Sequence, residues 1–444
     1  MQIYQWLLLL LFGVGFLVSA PLAKGVREFF SAERKDGKQP NAWVLTSSLV
    51  ISWIFAKSIT NAANLGLAYG FVGGFAYAVY YGSFLVAGVV IYQLRTKGGF
   101  RSIHHFLEIR YGRSAVIVFS LLIGFRLFNE VWSNTMVIGS YFGAAGSAPY
   151  YWSILVFTGL TLAYTLKGGL RSSLLTDAIQ MLLFGGLLVM LLALILPKGE
   201  ATVSDYIGSG EWRLDAGLNL AFVAFLQVLS YPFHDSVLTD RGFIANPKTT
   251  LRSYFWAGGI GFICILLFSF IGIFARFEGL EGQAAVQVSQ LLGITGALAM
   301  NFIMITSAAS TLDSAFSSFS KLVVIDLGVA GARPVRTGRL VMVGLTVLGT
   351  LPIFFNPEIL SATTVSGTMV MGLAPVFLSW RMKGSFHGAV GIGIALGILL
   401  TLGWLPEALL WFPGKYGDVL SVNLWGLVSC FIVFYSVKIF QLEK

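Results

Sequence analysis

Long apolar runs follow one another along this chain too often for a fold built in water. An α-helical membrane span needs about 20 mostly apolar residues, and the sequence divides into about thirteen such segments. They lie near 3–23, 43–70, 72–94, 114–138, 150–166, 174–196, 218–231, 254–277, 292–320, 339–355, 359–379, 385–404 and 419–440. The runs are uniformly apolar and do not alternate over about ten residues, which excludes barrel strands. Charge is correspondingly scarce: 29 basic plus 20 acidic residues make 49 in 444. A soluble protein carries about a quarter of its residues charged. Soluble enzymes, nucleic-acid binders and secreted scaffolds are excluded on that count. The expectation is an all-α polytopic membrane protein that is not an enzyme.

The net charge of +9 is an orientation signal. Short loops rich in Lys and Arg stay cytoplasmic. One alternating set of loops holds 23 of the 29 basic residues, among them Lys24, Arg34, Lys35, Lys38, Arg101, Arg241, Lys321, Arg339, Lys438 and Lys444. The opposite set holds Lys198, Arg213, Arg276 and Lys415. This places the N-terminus outside and the C-terminus in the cytoplasm, with the plasma (inner) membrane as location. Residues 3–23 are read as a retained span, because no basic residue precedes them as a cleaved signal requires. Cys264 and Cys430 lie in apolar runs and are read as free thiols that pack like small hydrophobes.

Two halves of five segments each, 43–196 and 218–379, must run in opposite directions because five is odd. Residues 1–42 form a leading helix and loop, and 380–444 supply two further helices. Inverted repeats with an interrupted segment at the same place in each half mark a transporter and its binding site. The first interruption is expected at the polar run Lys57-Ser58-Ile59-Thr60-Asn61. The second is expected where Pro232 follows Tyr231, since proline cannot continue the hydrogen-bond ladder.

Ionisable side chains at bilayer depth are costly and usually line a bundle interior or a wet path. Lys57, Arg126, Glu130 and Asp313 qualify, and their formal charges cancel. Arg126 and Glu130 are one turn apart and can pair; Asn129, Ser133 and Asn134 extend their stripe, which serves either helix packing or a substrate-facing gate. Ser307, Ser310, Thr311 and Ser314 share one helical face. Several oxygens in one place suit a hard monovalent cation, although Ser and Thr also serve close helix packing. His104, His105, His234 and His387 fall in loops or at a helix end and suggest no metal site. No Walker-type phosphate loop supplies an ATP-driven engine.

Several stretches resemble the sodium:solute symporter family. Gly168-Gly169-Leu170-Arg171-Ser172-Ser173-Leu174-Leu175-Thr176-Asp177-Ala178-Ile179-Gln180 is similar to its Gly-Gly…Thr-Asp-x-x-Gln signature, and Ser310-Thr311-Leu312-Asp313-Ser314 to its Ser-Thr-x-Asp-Ser element. The segment Ile103–Arg113 resembles its loop entering the third repeat helix. Leu238–Phe243 sits where an Arg-containing element follows the broken helix. The resemblance runs from about residue 43 to 380 and implies a 5+5 inverted-repeat fold of the leucine-transporter type. It also implies symport of a small organic solute driven by sodium, with the ion between the first and eighth repeat helices. Carried over by position, the sodium ligands are the carbonyls of Ala56, Ile59 and Ser307 and the hydroxyls of Ser310 and Thr311. Asp177 lies on the ion-exit path, with Asp313 beside it. Tyr231 is an aromatic gate over the solute, and Gln227 lies one turn before it. Lys57, Ser58, Asn61, Arg126 and Glu130 complete the expected solute site.

Lys57 departs from the family pattern. An ammonium about 5 Å from sodium costs about 3 kcal/mol at an effective dielectric of 20. Three readings stand: the side chain turns away to Asp313 or Glu130, it replaces the cation in a sodium-independent or proton-coupled carrier, or it meets an anionic solute group. A non-transporting membrane sensor is the rival from another class.

Overall fold

The computed structural model describes residues 2–31, 39–198, 201–329, 331–357, 359 and 361–442, and every regular element among them is helical. Arg34, Lys35, Lys38 and Lys444, and the side chain of Lys438, lie outside the described residues. A leading helix α1 (Gln2–Ser19) and a short α2 (Val26–Ser31) come first. The first half contains α3 (Ala42–Trp53), α4 (Ala56–Ala78), α5 (Ser83–Thr96), the short α6 (Ile103–Tyr111), α7 (Arg113–Phe142), α8 (Ala148–Gly168) and α9 (Leu170–Ile195). After α10 (Val203–Gly208), the second half contains α11 (Leu218–Gln227), α12 (Ser236–Arg241), α13 (Pro247–Phe277), α14 (Ala284–Leu291), α15 (Gly293–Lys321), α16 (Pro334–Thr350), α17 (Ser361–Met369) and α18 (Leu373–Leu378). Helices α19 (Phe386–Leu402) and α20 (Gly417–Leu442) close the chain.

Eight helical stretches among the described residues are individually long and apolar enough to cross a membrane. The expected count of thirteen is therefore not a count of straight helices. It requires α3–α4, α11–α12 and α17–α18 each to be one interrupted span. It also requires Gly70, inside α4, to separate two spans. Gly70 adopts φ 63°, ψ −146°, a conformation open to glycine alone at low cost. The next N–H, of Phe71, leaves the helix ladder and bonds the Ser209 carbonyl at 3.1 Å.

Helix starts follow local chemistry. Asn41, Ser102, Ser147 and Asn246 each accept a backbone N–H from the first turn of α3, α6, α8 and α13. Pro149 and Pro247 sit in first turns, where a missing N–H costs nothing. The tightest helix pair is α4 with α13. A Cβ on Gly272 would lie 1.7 Å from the Ala63 carbonyl oxygen, and one on Gly66 would lie 2.3 Å from that of Ser269. Small residues thus let two backbones touch, as membrane helix contacts require.

The first break is two residues upstream of the polar run expected to form it. Ile54 (φ −81°, ψ 70°) and Phe55 (φ −60°, ψ 150°) leave the helix, and Lys57 to Asn61 form the opening turns of α4. The physical reason is that a helix start exposes unpaired N–H groups, so polar residues collect beside a break and not at it. Asn134 of α7 accepts one of these donors, the Lys57 N–H, at 3.2 Å. The second break lies where Pro232 places it: α11 stops at Gln227, residues 231–234 make one tight turn, and α12 starts at Ser236.

Candidate functional site

The two breaks face one another across α7, and four buried ionisable groups fill the space between them. Glu130 bridges two cations, with Oε1 at 2.8 Å from Lys57 Nζ and 3.0 Å from Arg126 Nη2. Arg126 also holds Asp235 through Nη2 at 2.8 Å and Nε at 3.2 Å. Its Nη1 donates to the Tyr231 hydroxyl at 2.6 Å, and the guanidinium lies 4.7 Å from that ring's centre. Trp53 Nε1 donates to Asp235 at 2.7 Å, and Asn134 donates to Glu130 at 3.0 Å. Asp235 also caps α12 by accepting the Leu238 N–H at 3.2 Å. All four charged side chains are 0–3% exposed. Two positive and two negative charges make this layer neutral, and each charge has an opposite partner within 3.0 Å.

A second buried layer lies between α3, α9, α12 and α15, and it is not balanced. Arg241 Nη2 meets Asp177 Oδ2 at 3.0 Å and the Ser314 hydroxyl at 2.8 Å, while its Nε donates to Ser48 at 2.6 Å. Asp177 also accepts the hydroxyls of Ser48 and Ser310, both at 2.5 Å. Asp313 has no cation within ion-pair distance among the described residues. It accepts hydroxyls from Ser173 at 2.8 Å, Tyr164 at 2.9 Å and Thr176 at 2.9 Å. One guanidinium thus stands against two carboxylates, and Asp177, Arg241 and Asp313 are all 0% exposed.

Helix α15 joins this layer to the first break. The Ser307 hydroxyl donates to the Ile54 carbonyl, which the break has freed from the helix ladder, and the Thr311 hydroxyl donates to the Ser307 carbonyl at 3.0 Å. Ser310 and Thr311 are 0% and 2% exposed; the Ser310 hydroxyl turns to Asp177, and that of Thr311 stays on its own helix. Above the neutral layer, Trp53, Phe55, Ser58, Tyr77, Tyr80 and Tyr231 line a cavity of about 20 Å³, room for about one water molecule. On the Asn61 side a hollow of about 430 Å³ is lined by Thr60, Asn61, Asn64, Gln283 and Asn356. On the Asp240 side another of about 420 Å³ is lined by Arg101, His104, Asp240, Lys321 and Asp326.

The structure brings most of the sequence-derived candidates together and separates a few. Lys57, Ser58, Asn61, Arg126, Glu130 and Tyr231 surround the breaks. Ala56 and Ile59 open α4 at 0% exposure beside Ser307. Gln227 is turned away: its amide bonds Tyr80, Thr364, Thr368 and Asn423, which ties α11 to α17 and α20. Asp313 does not neutralise Lys57; Asp235 completes the central set in its place. Asp235 sits just past Pro232, where a helix end looked like loop. Its partner Arg126 is 109 residues away, so no spacing could reveal it. Arg241 and Lys321 count as loop charges by position, but Arg241 is buried and Lys321 is half-buried and pairs with Asp240. His234, read as a helix-end residue, is 1% exposed inside the second break, with Nδ1 at 2.5 Å from the Tyr231 carbonyl. Burial pushes the His104 ring of α6 below its usual range, against the opposing pull of Asp326 beside it. Both cysteines are free, and no cluster of potential metal-binding His, Cys, Asp and Glu occurs among the described residues.

The chain is similar to known proteins. A model of the sodium:solute symporter family matches residues 29–207. The urea active transporter of Saccharomyces cerevisiae is 25% identical over 217 residues, covering 44% of this chain and 27% of the yeast protein. The chain thus aligns with about a quarter of that curated relative. A Na+-coupled sialic acid symporter, solved substrate-bound and outward-open, superposes with a TM-score of 0.68 at 15% identity over 98% of this chain and 95% of its own. Mhp1, a nucleobase-cation-symport-1 family transporter solved closed with bromovinylhydantoin, gives 0.59 at 12% identity over 95% of each chain. MhsT in complex with L-phenylalanine gives 0.57 at 14% identity over 89% of this chain and 98% of its own. The resemblance read from the motifs therefore holds: residues 29–207 match the sodium:solute symporter family, and the chain has the leucine-transporter-type fold.

Proposed function

We propose that this protein is a sodium-coupled symporter that carries a small organic solute across a membrane by alternating access. The observation that carries the reading is the meeting of both helix breaks at one neutral ionic layer, with the α15 hydroxyl face alongside. Broken helices at mid-depth present free backbone carbonyls and helix ends to ions and solutes. Sodium sits between α15 and the first break, held by the carbonyls of Ala56, Ile59 and Ser307 and the hydroxyls of Ser310 and Thr311. These groups suit a hard cation: they are buried oxygens, and the neighbouring layer sets two carboxyl groups, Asp177 and Asp313, against the single guanidinium of Arg241. Asp177 and Asp313 mark the ion path.

Lys57 directs its ammonium to Glu130 on α7, and none of the α15 hydroxyls bonds it. This supports sodium as the coupling ion over a carrier in which Lys57 replaces it. The solute site lies around Lys57, Ser58, Asn61, Arg126, Glu130 and Tyr231; urea, which names the yeast relative, is a small organic solute of the proposed kind. Residues 43–196 and 218–379 form the inverted repeats. The protein sits in the plasma membrane with its N-terminus outside and its C-terminus in the cytoplasm, the side that holds most Lys and Arg. Solute uptake into proteoliposomes tests the reading: an inward sodium gradient drives accumulation, and Ser310→Ala with Thr311→Ala abolishes it. Uptake indifferent to sodium in the wild type contradicts it.

A further inference from the structure

A groove runs along the outside of the bundle between α7, the end of α15 and α16, and no described helix fills it. Its volume is about 580 Å³, and apart from Ser120 its walls are apolar, among them Ile117, Leu121 and Phe128 of α7, Leu322 just past α15, and Leu348 of α16. Ile117, Leu121 and Leu348 are exposed, so the groove opens sideways, toward lipid in a membrane.

Two glycines keep it open. A Cβ on Gly344 would meet nothing within 4 Å, and one on Gly124 would meet only the Phe319 ring, at 3.5 Å. Both lie inside helices, where glycine is less stable than alanine. Between α4 and α13 the glycines let two backbones touch. Here no backbone approaches, and what the glycines provide is space.

The groove has the dimensions and the charge of a lipid site. From Ile117 to Phe128 helix α7 rises about 17 Å, against about 15 Å for one leaflet of a 30 Å hydrocarbon core. One turn before Ile117, on the same face of α7, stands the exposed Arg113. Its Nη2 donates to the Leu327 carbonyl at 2.6 Å and its Nη1 to the Asp326 carbonyl at 3.4 Å. These bonds hold the guanidinium at the mouth of the groove and leave other N–H donors unused. The Asp326 carboxylate turns to Lys321 and His104, and Arg113 has no carboxylate partner among the described residues. Arg333, exposed just before α16, adds positive charge at the same end. A planar guanidinium fixed in place suits a phosphate group.

We infer that this groove holds one acyl chain of an anionic phospholipid of the cytoplasmic leaflet, with the lipid phosphate on Arg113. The site lies outside the transport path and takes from the reading above only the orientation of the chain in the membrane.

Purified protein stripped of lipid in detergent is titrated with dioleoyl-phosphatidylglycerol or dioleoyl-phosphatidylcholine, which share their acyl chains and differ in charge. Native mass spectrometry counts the lipid retained. The expected result is one saturable phosphatidylglycerol per protein, held about tenfold tighter than phosphatidylcholine, the order that one or two lipid–arginine contacts supply. Arg113→Gln removes most of that difference. Gly344→Phe places a ring in the groove and excludes both lipids, whereas Gly344→Ala leaves the groove open and retains them. Equal affinity for the two lipids, unsaturable association only, or undiminished preference in Arg113→Gln overturns the inference, as does lipid retained by a folded Gly344→Phe. If Gly344→Phe does not fold, the Arg113→Gln comparison decides. The assay needs neither sodium, solute nor a sealed membrane, so it can fail while the transport reading stands, and the reverse.

Discussion

The two buried charge layers each set an arginine against an aspartate, and they differ in balance. The Lys57–Glu130–Arg126–Asp235 layer is neutral, and its members pair directly at 2.8–3.0 Å. The Asp177–Arg241–Asp313 layer keeps one carboxylate more than its single guanidinium can match, and fills the remainder with hydroxyls from Ser173, Thr176 and Tyr164. Buried charges persist only when they are paired and hydrogen-bonded. The first layer satisfies that rule by itself and needs no further ion. The second surrounds Asp313 with hydroxyl groups and gives that carboxyl group no cation among the described residues. In a symporter the first layer is suited to sorting solutes and the second to attracting a monovalent cation.

Breaking each layer in turn separates these roles. Arg241→Met has the largest expected effect, because it leaves two buried carboxylates without a cation. A loss of about 3–5 kcal/mol follows, read as a much lower melting temperature in detergent. Glu130→Gln comes next: it takes from Lys57 its ion-pair partner and leaves Arg126 with Asp235 alone, with a loss of similar kind. The sharper experiment adds Lys57→Met to that variant. The double variant restores neutrality, so it should melt closer to wild type than Glu130→Gln does, a non-additivity read from a double-mutant cycle. Ser310→Ala with Thr311→Ala removes only two hydroxyl hydrogen bonds, about 1 kcal/mol for the Thr311 bond and about 1.5–3 kcal/mol for that of Ser310 to Asp177, yet it should abolish the response to sodium. Arg213→Ala is the smallest. Arg213 is 64% exposed and pairs with Glu211 and Asp215 in a loop, and its loss should leave both melting temperature and uptake unchanged.

Much of this architecture is legible in the sequence because lipid imposes a simple rule on it. Apolar runs of span length locate the helices, Pro232 locates the second break, and the hydroxyl spacing along 307–314 places one face of α15. The first break was harder to read. No Gly or Pro marks Ile54–Phe55, and the polar residues that signal it belong to the helix start beyond it. Charge partners were the least legible. Asp235 and Arg126 are 109 residues apart, and Arg241 reaches Asp177 across 64 residues. Only the packing of helices far apart in the chain brings such residues together. Positive charge near a span end was read as an orientation signal, and for Arg241 that rule hid a fully buried residue.

Sodium titration of the melting temperature of the purified, solute-free protein tests the central claim most directly. A ligand that binds only the folded state stabilises it by RT ln(1 + [L]/Kd), about 2.7 kcal/mol at a hundredfold excess over Kd. The account predicts a saturable rise with sodium that choline at equal ionic strength does not reproduce and that Ser310→Ala with Thr311→Ala eliminates. A melting temperature that responds equally to sodium and choline, or a sodium response that survives the double substitution, would contradict it.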